Sequence, residues 1–585
     1  MRQEEENGRL KSMGSPIFKR LIAVEDAQNI IIRNVERIRD SETVSIDEAV
    51  GRVVAENIYA TIDVPSFDRA TLDGFAVWSA DIIGASEETP KRLRVLGYVK
   101  TGRVPRGVVR PGTAFRIDTG AMIPKGADVV VPVEYCDANN GVVFVFRSLP
   151  SGSNIQWAGG DIMRGEILVP AGTLLLPRHI GGLSASGISR IRVWRRPRIA
   201  VFSIGDELIG LDQEPSAGMI YDINTYTISS LLRLLGCTPI ILGRTPDDPE
   251  AIARRIEEGL RRGDLVVSTG GSSVGQSDLV VRSLMRAGGT ILFHGVMSKP
   301  GKPVLVARIG RKLYIGLPGN PTSAMVSFML YVKPAVMAML GCDAEHIDNI
   351  TIRLRRREYG GGGRRLYRMI AIKIRRPSDY TYEPLPPASE SISTMLKSDG
   401  YFVVPEGLEF LEKGHTVIAR VLDGVLQHAG ILLVGEFSPS ILGVLTETTH
   451  DMGLHVRYIR KSRESALQSY EDHVADIAII SGRIGGCDLL IRRRLILIAR
   501  KREGILASAY NISVRGYRTI RVGTHQSAIF RYTQGYADAI IVPEEIARLY
   551  GLRGERFGFE ELSVLIGNRH REHIIGILRG LGDEI

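Results

Sequence analysis

The sequence predicts a multidomain α/β protein whose central part is a doubly wound parallel sheet. Strand and helix patterns alternate from Arg198 onward, and short strands punctuated by Gly and Pro flank that stretch on both sides. At 585 residues the chain is also too long for one hydrophobic core, so several domains are expected.

From the N-terminus, VEDAQNIIIRNVERI (24–38) has helical spacing, and VSIDEAVGRVVAENIYA (44–60) reads as a second helix capped by Ser45. Residues 61–150 carry short strands and no long helix, which predicts a small β domain. Residues 151–195 are again extended, so 1–60 and 151–195 are assigned to one elongated domain. In 196–342 the strands RIAVFSIG, TPIILGRT, DLVVSTGG and KLYIGLPG alternate with helical stretches. One of these ends at Gly236, one starts with Pro249 in its first turn, and one is NPTSAMVSFMLYVKPAVMAML. Residues 343–428 return to short strands, as a β-barrel would. Their densest basic stretch, 352–377, alternates apolar and basic residues and reads as a Gly-rich hairpin with a solvated basic face. From it, one or two arginines can reach an oxyanion. Residues 429–585 open with a strand, turn and helix and form a further α/β domain with its own core, joined by the short connection DGVLQHAG (423–430).

A net charge of +10 favours anionic partners without implying nucleic acid. No apolar signal core opens the chain and no uncharged apolar run of about 18 residues is found, so a cytoplasmic protein without a membrane span is expected. Cys136, Cys237, Cys342 and Cys487 lack metal-ligand spacing, so the sequence indicates neither a zinc knuckle nor a disulfide scaffold.

In a doubly wound sheet, ligands sit at the carboxyl ends of the strands. The turns there are SIGDEL, RTPDDP, STGGSSVGQSD and GLPGNP, so Asp206, Glu207, Asp247, Asp248 and Asp278 are expected on one edge with Gly270 and Gly271. Any one of these carboxylates is most simply a helix cap or a solvated loop residue. Together with small residues that admit close approach of backbone N–H groups, they suit Mg²⁺ and phosphate. SKPGKP (298–303) sets Lys299 and Lys302 in a tight turn, a candidate oxyanion clamp.

The ordered motifs VPSFDRATLDGFAV, RIDTGAMIPKGADVVVPVE, GGDIMRGEILVPAGT, SIGDEL, GMIYDINTY, TPDD, STGGSSVGQSD, KPGKP, GLPGNPTSAM and SDGYFVVPEG span about 1–428. In this set the chain resembles the molybdopterin molybdenumtransferases, the MoeA family that includes the E-domain of gephyrin. The resemblance implies a Rossmann-like (MogA-like) central domain at 196–342, a dimerising elongated domain, and flanking β domains at 61–150 and 343–428. It implies Mg²⁺-dependent hydrolysis of adenylylated molybdopterin with insertion of molybdate or tungstate into the dithiolene, in a homodimer that can work with a molybdopterin adenylyltransferase. Metal roles fall on Asp206, Glu207, Asp247 and Asp278, with catalytic roles on Asp73, Thr119, Asp161, Glu207, Asp247, Asp248 and Asp278. Asp73, Thr119 and Asp161 would come from the other subunit. Substrate and phosphate contacts fall on Gly270, Gly271, Ser272, Ser273, Asp222, Asn224, Pro318, Gly319, Asn320 and Pro321. Molybdate contacts fall on Lys299, Lys302, Ser323, Arg368 and Ser393.

The family's SAMDGYA stands here as ATLDGFA, which removes two hydroxyls, and GGVSVG stands as GGSSVG. Residues 429–585 resemble the periplasmic-binding-protein-like domain fused to some prokaryotic members. They are short for a two-lobed ligand binder, and RVGTHQSAIF stands where a basic, Gly-containing stretch is expected. The rival readings are a MogA-like molybdopterin adenylyltransferase, disfavoured by the flanking β domains, and a non-catalytic molybdate or pterin scaffold or sensor, disfavoured by the intact set of charged residues.

Overall fold

The computed structural model describes residues 21–271, 276–342, 349–376, 379–386, 389–422, 431–436, 438–450, 455–501, 503–510, 512, 514–522, 524–566 and 571–579. Ser272, Ser273 and the connection 423–430 lie outside the described residues.

The apolar runs of the central unit form a six-stranded sheet. Its order is Thr238–Thr245, Arg198–Ile204, Leu265–Gly270, Lys312–Leu317, Leu305–Ile309, Thr290–His294. The first four strands are parallel, and the helices Asn224–Leu234 and Pro249–Arg262 supply crossovers. Leu305–Ile309 alone runs antiparallel to both its neighbours, so the sheet is mixed where a parallel one was expected. Gly310, at φ 59°, lets the chain reverse within two residues there.

The helical segment Pro321–Leu340 is long and apolar enough to cross a membrane by composition, yet 72% of that window is buried inside the protein. Its apolarity serves a core shared with Val24, Ala27 and Ile31. The helix Val24–Asn34 therefore packs on the central unit rather than in the elongated domain, and Gln28 Nε2 donates to the Leu330 carbonyl at 3.0 Å.

The second N-terminal helix does not form. Ser45 caps only the 3₁₀ turn Ile46–Glu48. Gly51 then takes φ 78°, and Val53 and Val54 enter β-bridges with Leu174 and Val193. Ser41–Ser45 pairs with Arg190–Trp194, and Ile58–Tyr59 with Ile167–Val169, which knits the two N-terminal stretches together. Between them, strands from Gly74–Val77 to Val142–Val145 build a separate six-stranded sheet.

The basic stretch is not a hairpin. Arg365–Arg376 pairs with Gly400–Val404 and Asp379–Pro384, whereas Asn349–Arg353 pairs with Thr416–Val421. Its basic face is solvated only in part: Arg353 and Arg357 are exposed, whereas Lys373 is buried. The two-residue strand Ser298–Lys299 of the central unit joins this sheet beside Arg365–Leu366.

The C-terminal part forms one eight-stranded sheet in two halves. Val456–Arg460, Ile431–Gly435, Ile477–Ser481 and Glu555–Ile566 make one half; Leu489–Ala499, Ala539–Pro543, Gly504–Ser508 and Tyr517–Arg521 make the other. Each half has three parallel strands and one antiparallel strand, and the two long antiparallel strands join the halves. The first half is not independent of the rest of the chain. Leu432, Val434, Ile459 and Ala478 belong to the same apolar cluster as Tyr367, Ala371 and Tyr401.

Candidate functional site

The parallel strands of the central sheet end at one edge, and the turns that follow them wall a cavity of about 1050 Å³. Gly270, at φ 88°, leaves the strand Leu265–Gly270 with its Cα against the neighbouring strand; a Cβ there would sit 2.2 Å from the Ile204 carbonyl oxygen. Only glycine lets the backbone turn this tightly, which brings Gly270 and Gly271 to the cavity wall.

Beneath the cavity lies a network of buried hydroxyls and one carboxylate. Ser203 Oγ donates to Asp222 at 2.8 Å and lies 2.8 Å from Thr225 Oγ1 and 2.9 Å from Thr269 Oγ1. Asp222 also accepts from the Thr225 backbone N–H at 3.1 Å. Asn224 opens the helix that follows, and its Nδ2 donates to the Gly319 carbonyl at 2.6 Å. That bond fixes the Pro318–Gly319–Asn320–Pro321 turn, all four residues of which line the cavity. Asn320 Nδ2 reaches Ser389 Oγ at 2.9 Å, so the β unit of residues 349–422 closes one side.

Lys299, Lys302 and Ser323 line the same cavity, as does Glu207. Asp206, Asp247, Asp248 and Asp278 do not line it. Asp206 is exposed and accepts from the Asp247 backbone N–H at 3.1 Å. Asp248 is the N-cap of the helix Pro249–Arg262, accepting from the Ala251 N–H at 2.7 Å. Asp278 is exposed in the first turn of Gln276–Arg286. Burial lowers the pKa of the His294 imidazole, and the negative charge of Asp278 opposes that shift. His294 shares a small cavity with Gly270 and Gly271. Among the described residues no three His, Cys, Asp or Glu side chains converge as a metal cage. The exposed carboxylate oxygens fit Mg²⁺ in its usual manner, held by one or two protein carboxylates with water and substrate phosphate completing the shell.

Arg368 and Ser393 are placed elsewhere. Arg368 faces Glu358 at 3.3 Å, and exposed Ser393 lies 3.1 Å from Ser391 Oγ. Arg364, Ser389 and Glu390 line the cavity instead, along with Ser298. Sequence reasoning passed over Arg364, although the four glycines before it are the signal that this turn approaches another element closely. Asp73, Thr119 and Asp161 are exposed and do not line the cavity. Asp73 Oδ1 accepts from both the N–H and the hydroxyl of Thr119 at 2.7 Å, and these bonds hold its carboxyl below the usual range.

The fold and cavity define a doubly wound α/β protein that presents a glycine turn, a lysine loop and carboxylates to a ligand at its carboxyl edge. Residues 22–187 match the MoeA N-terminal region (domain I and II), and 200–338 match the family described as probable molybdopterin binding domain. A molybdopterin molybdenumtransferase of Nostoc sp. is 33% identical over 412 residues, covering 68% of this chain and 94% of that protein. One from Bacillus subtilis is 33% identical over 311 residues, covering 52% and 72%. A crystal structure of a molybdopterin biosynthesis MoeA protein from Pyrococcus horikoshii, 29% identical, superposes with a TM-score of 0.61 over 69% of this chain and all of that one. The chain belongs to the molybdopterin molybdenumtransferase family, whose members are enzymes of molybdenum cofactor biosynthesis.

Proposed function

We propose that this enzyme places molybdenum, or tungsten, on the dithiolene of molybdopterin, using adenylylated molybdopterin and the metal oxyanion as substrates. The observation that carries this reading is one cavity shared by the Gly270–Gly271 turn, Glu207, and the Lys299 and Lys302 side chains. The turn accepts phosphate oxygens on backbone N–H groups. The two lysines and the Ser323 hydroxyl hold the tetrahedral oxyanion, with Arg364 beside them. Asn224, by fixing the Gly319 turn, sets the width of the cavity. Water attack on the phosphoanhydride frees AMP, and the two dithiolene thiols bind the metal as one oxyanion oxygen leaves as water with their protons, the oxidation state of the metal unchanged.

Glu207, with Asp206, Asp247 and Asp278 nearby in the fold, would hold Mg²⁺, which when bound neutralises charge that develops on the phosphate. Because Asp73, Thr119 and Asp161 do not line the cavity of their own chain, a homodimer is proposed in which they reach the partner's cavity. For the C-terminal sheet, its two like halves support the periplasmic-binding-protein-like assignment.

The test is a crystal soaked in molybdate or tungstate, paired with an insertion assay. Heavy-atom density beside Lys299 and Lys302, with turnover that requires the adenylylated substrate, is expected. Density elsewhere, or insertion from unadenylylated pterin at equal rate, would reject the reading.

A further inference from the structure

Two features of the 349–422 β unit point in opposite directions along one strand. At its start, Arg365–Arg376 pairs with Ser298–Lys299, and Arg365 N–H donates to the Met297 carbonyl at 3.1 Å. The lysine loop of the cavity is thus hydrogen-bonded to this strand. Eight residues on, roughly 26 Å along an extended chain, Lys373 is 5% exposed and its ammonium meets Asp476 of the C-terminal domain at 2.5 Å. It also donates to the Val474 carbonyl at 3.3 Å. Asp476 is itself fixed, accepting from the Leu432 N–H at 2.7 Å.

A second limb runs parallel to the first. Arg368 lies 3.3 Å from Glu358, Glu358 lies 3.8 Å from Arg356, and Arg356 lies 2.7 Å from Glu383. Fully buried Glu383 then pairs with Lys461 of the C-terminal domain. A third tie is Arg457, which pairs with Asp399, whose carboxylate accepts the Ile372 N–H at 2.7 Å on the same strand. Three separate ion pairs thus cross from the C-terminal domain to one strand and its immediate neighbours. The strand is paired with Gly400–Val404 over Leu366–Ile370 and with Asp379–Pro384 over Ile370–Arg376, so it is held along its whole length and its position at one end constrains the other.

We propose that the first half of the C-terminal domain is a positioning element for the oxyanion loop, with Lys373 and Asp476 as positioning residues acting through the strand Arg365–Arg376. This rests on the reading that Lys299 and Lys302 hold the metal oxyanion. Coupling through such packed elements changes affinity by about threefold to thirtyfold.

The experiment measures tungstate binding by calorimetry on the full chain, with KM for molybdate and kcat alongside. Lys373→Met is expected to weaken tungstate binding and raise KM for molybdate by that factor, with KM for the adenylylated pterin unchanged. Lys373→Arg, which keeps the ion pair, should bind like wild type. Lys413→Met, which removes an exposed ammonium 3.7 Å from Asp472 and remote from the strand Arg365–Arg376, serves as the control and should change nothing. If Lys373→Met does not fold, Arg457→Met is measured in its place. A folded variant that binds tungstate as tightly as wild type overturns the proposal. Equal loss in both substrate constants does the same, because that is what general loosening produces. Failure of wild type itself to bind tungstate would instead refute the reading of the lysine loop.

Discussion

The carboxyl edge of the central sheet and the junction with the C-terminal domain are both rich in charge, and they dispose of it differently. At the edge, Asp206, Glu207 and Asp278 are exposed, and Glu207 and the two lysines face an open cavity. At the junction, Lys373, Lys461 and Glu383 are withdrawn from water, Lys373 locked to Asp476 and Lys461 to Glu383. Burial pulls the Lys461 ammonium below its ordinary pKa, while Glu383 pulls it back up. Charge kept in water stays available to a ligand, whereas buried and paired charge determines where two domains sit. Charge density along a sequence does not distinguish the two cases; pairing does.

The comparison can be broken most sharply at Glu383. Removing one member of a buried pair strands the other, so Glu383→Ala should cost about 3–5 kcal/mol in urea unfolding. A loss under about 1 kcal/mol would place the junction with ordinary surface pairs. On the other side, Lys299→Ala should cut metal insertion by about 10²–10³ with the unfolding midpoint unchanged. Loss of stability without loss of turnover would reverse the contrast.

A third measurement concerns His525 in the C-terminal domain, packed near Tyr510, Arg493 and Glu560. Burial pushes its imidazole down to about 4, from 6.5 in the unfolded chain. Between those values the unfolded chain takes the proton and the folded one does not. Stability should therefore fall on acidification from pH 6.5 to 4, by up to about 3 kcal/mol, and should be full above 6.5. In His525→Gln that slope should be lost; a persisting slope would assign it to the neighbouring carboxylates. The smallest effect is expected at Asp248. As a helix cap, Asp248→Ala should cost about 1 kcal/mol and leave turnover intact, measured by thermal unfolding and assay.

The central unit was legible because its strands and helices are consecutive, so local periodicity suffices. The Gly270 turn, Glu207 and the two lysines meet in one cavity for the same reason: strand ends in such a sheet share an edge. Where pairing is distant in sequence, periodicity was silent. Arg365–Arg376 was expected to pair across the glycines with the strand before them, but that strand, Asn349–Arg353, pairs with Thr416–Val421. The helix expected after Ser45 was undone by distant bridges to Leu174 and Val193. Arg368 was assigned to the oxyanion because motif position cannot reveal that an ion pair with Glu358 withdraws it.

The insertion of Ser298–Lys299 into a neighbouring sheet has a consequence for how the chain can be divided. A fragment beginning at Asn349 would keep most of its strands but lose the short strand that covers Arg365–Leu366. Those residues would then present open N–H and C=O groups at a sheet margin, a template for pairing with a second molecule. Cut along the boundary that sequence suggests, this unit should self-associate, because the dipeptide that covers this margin belongs to the domain before it.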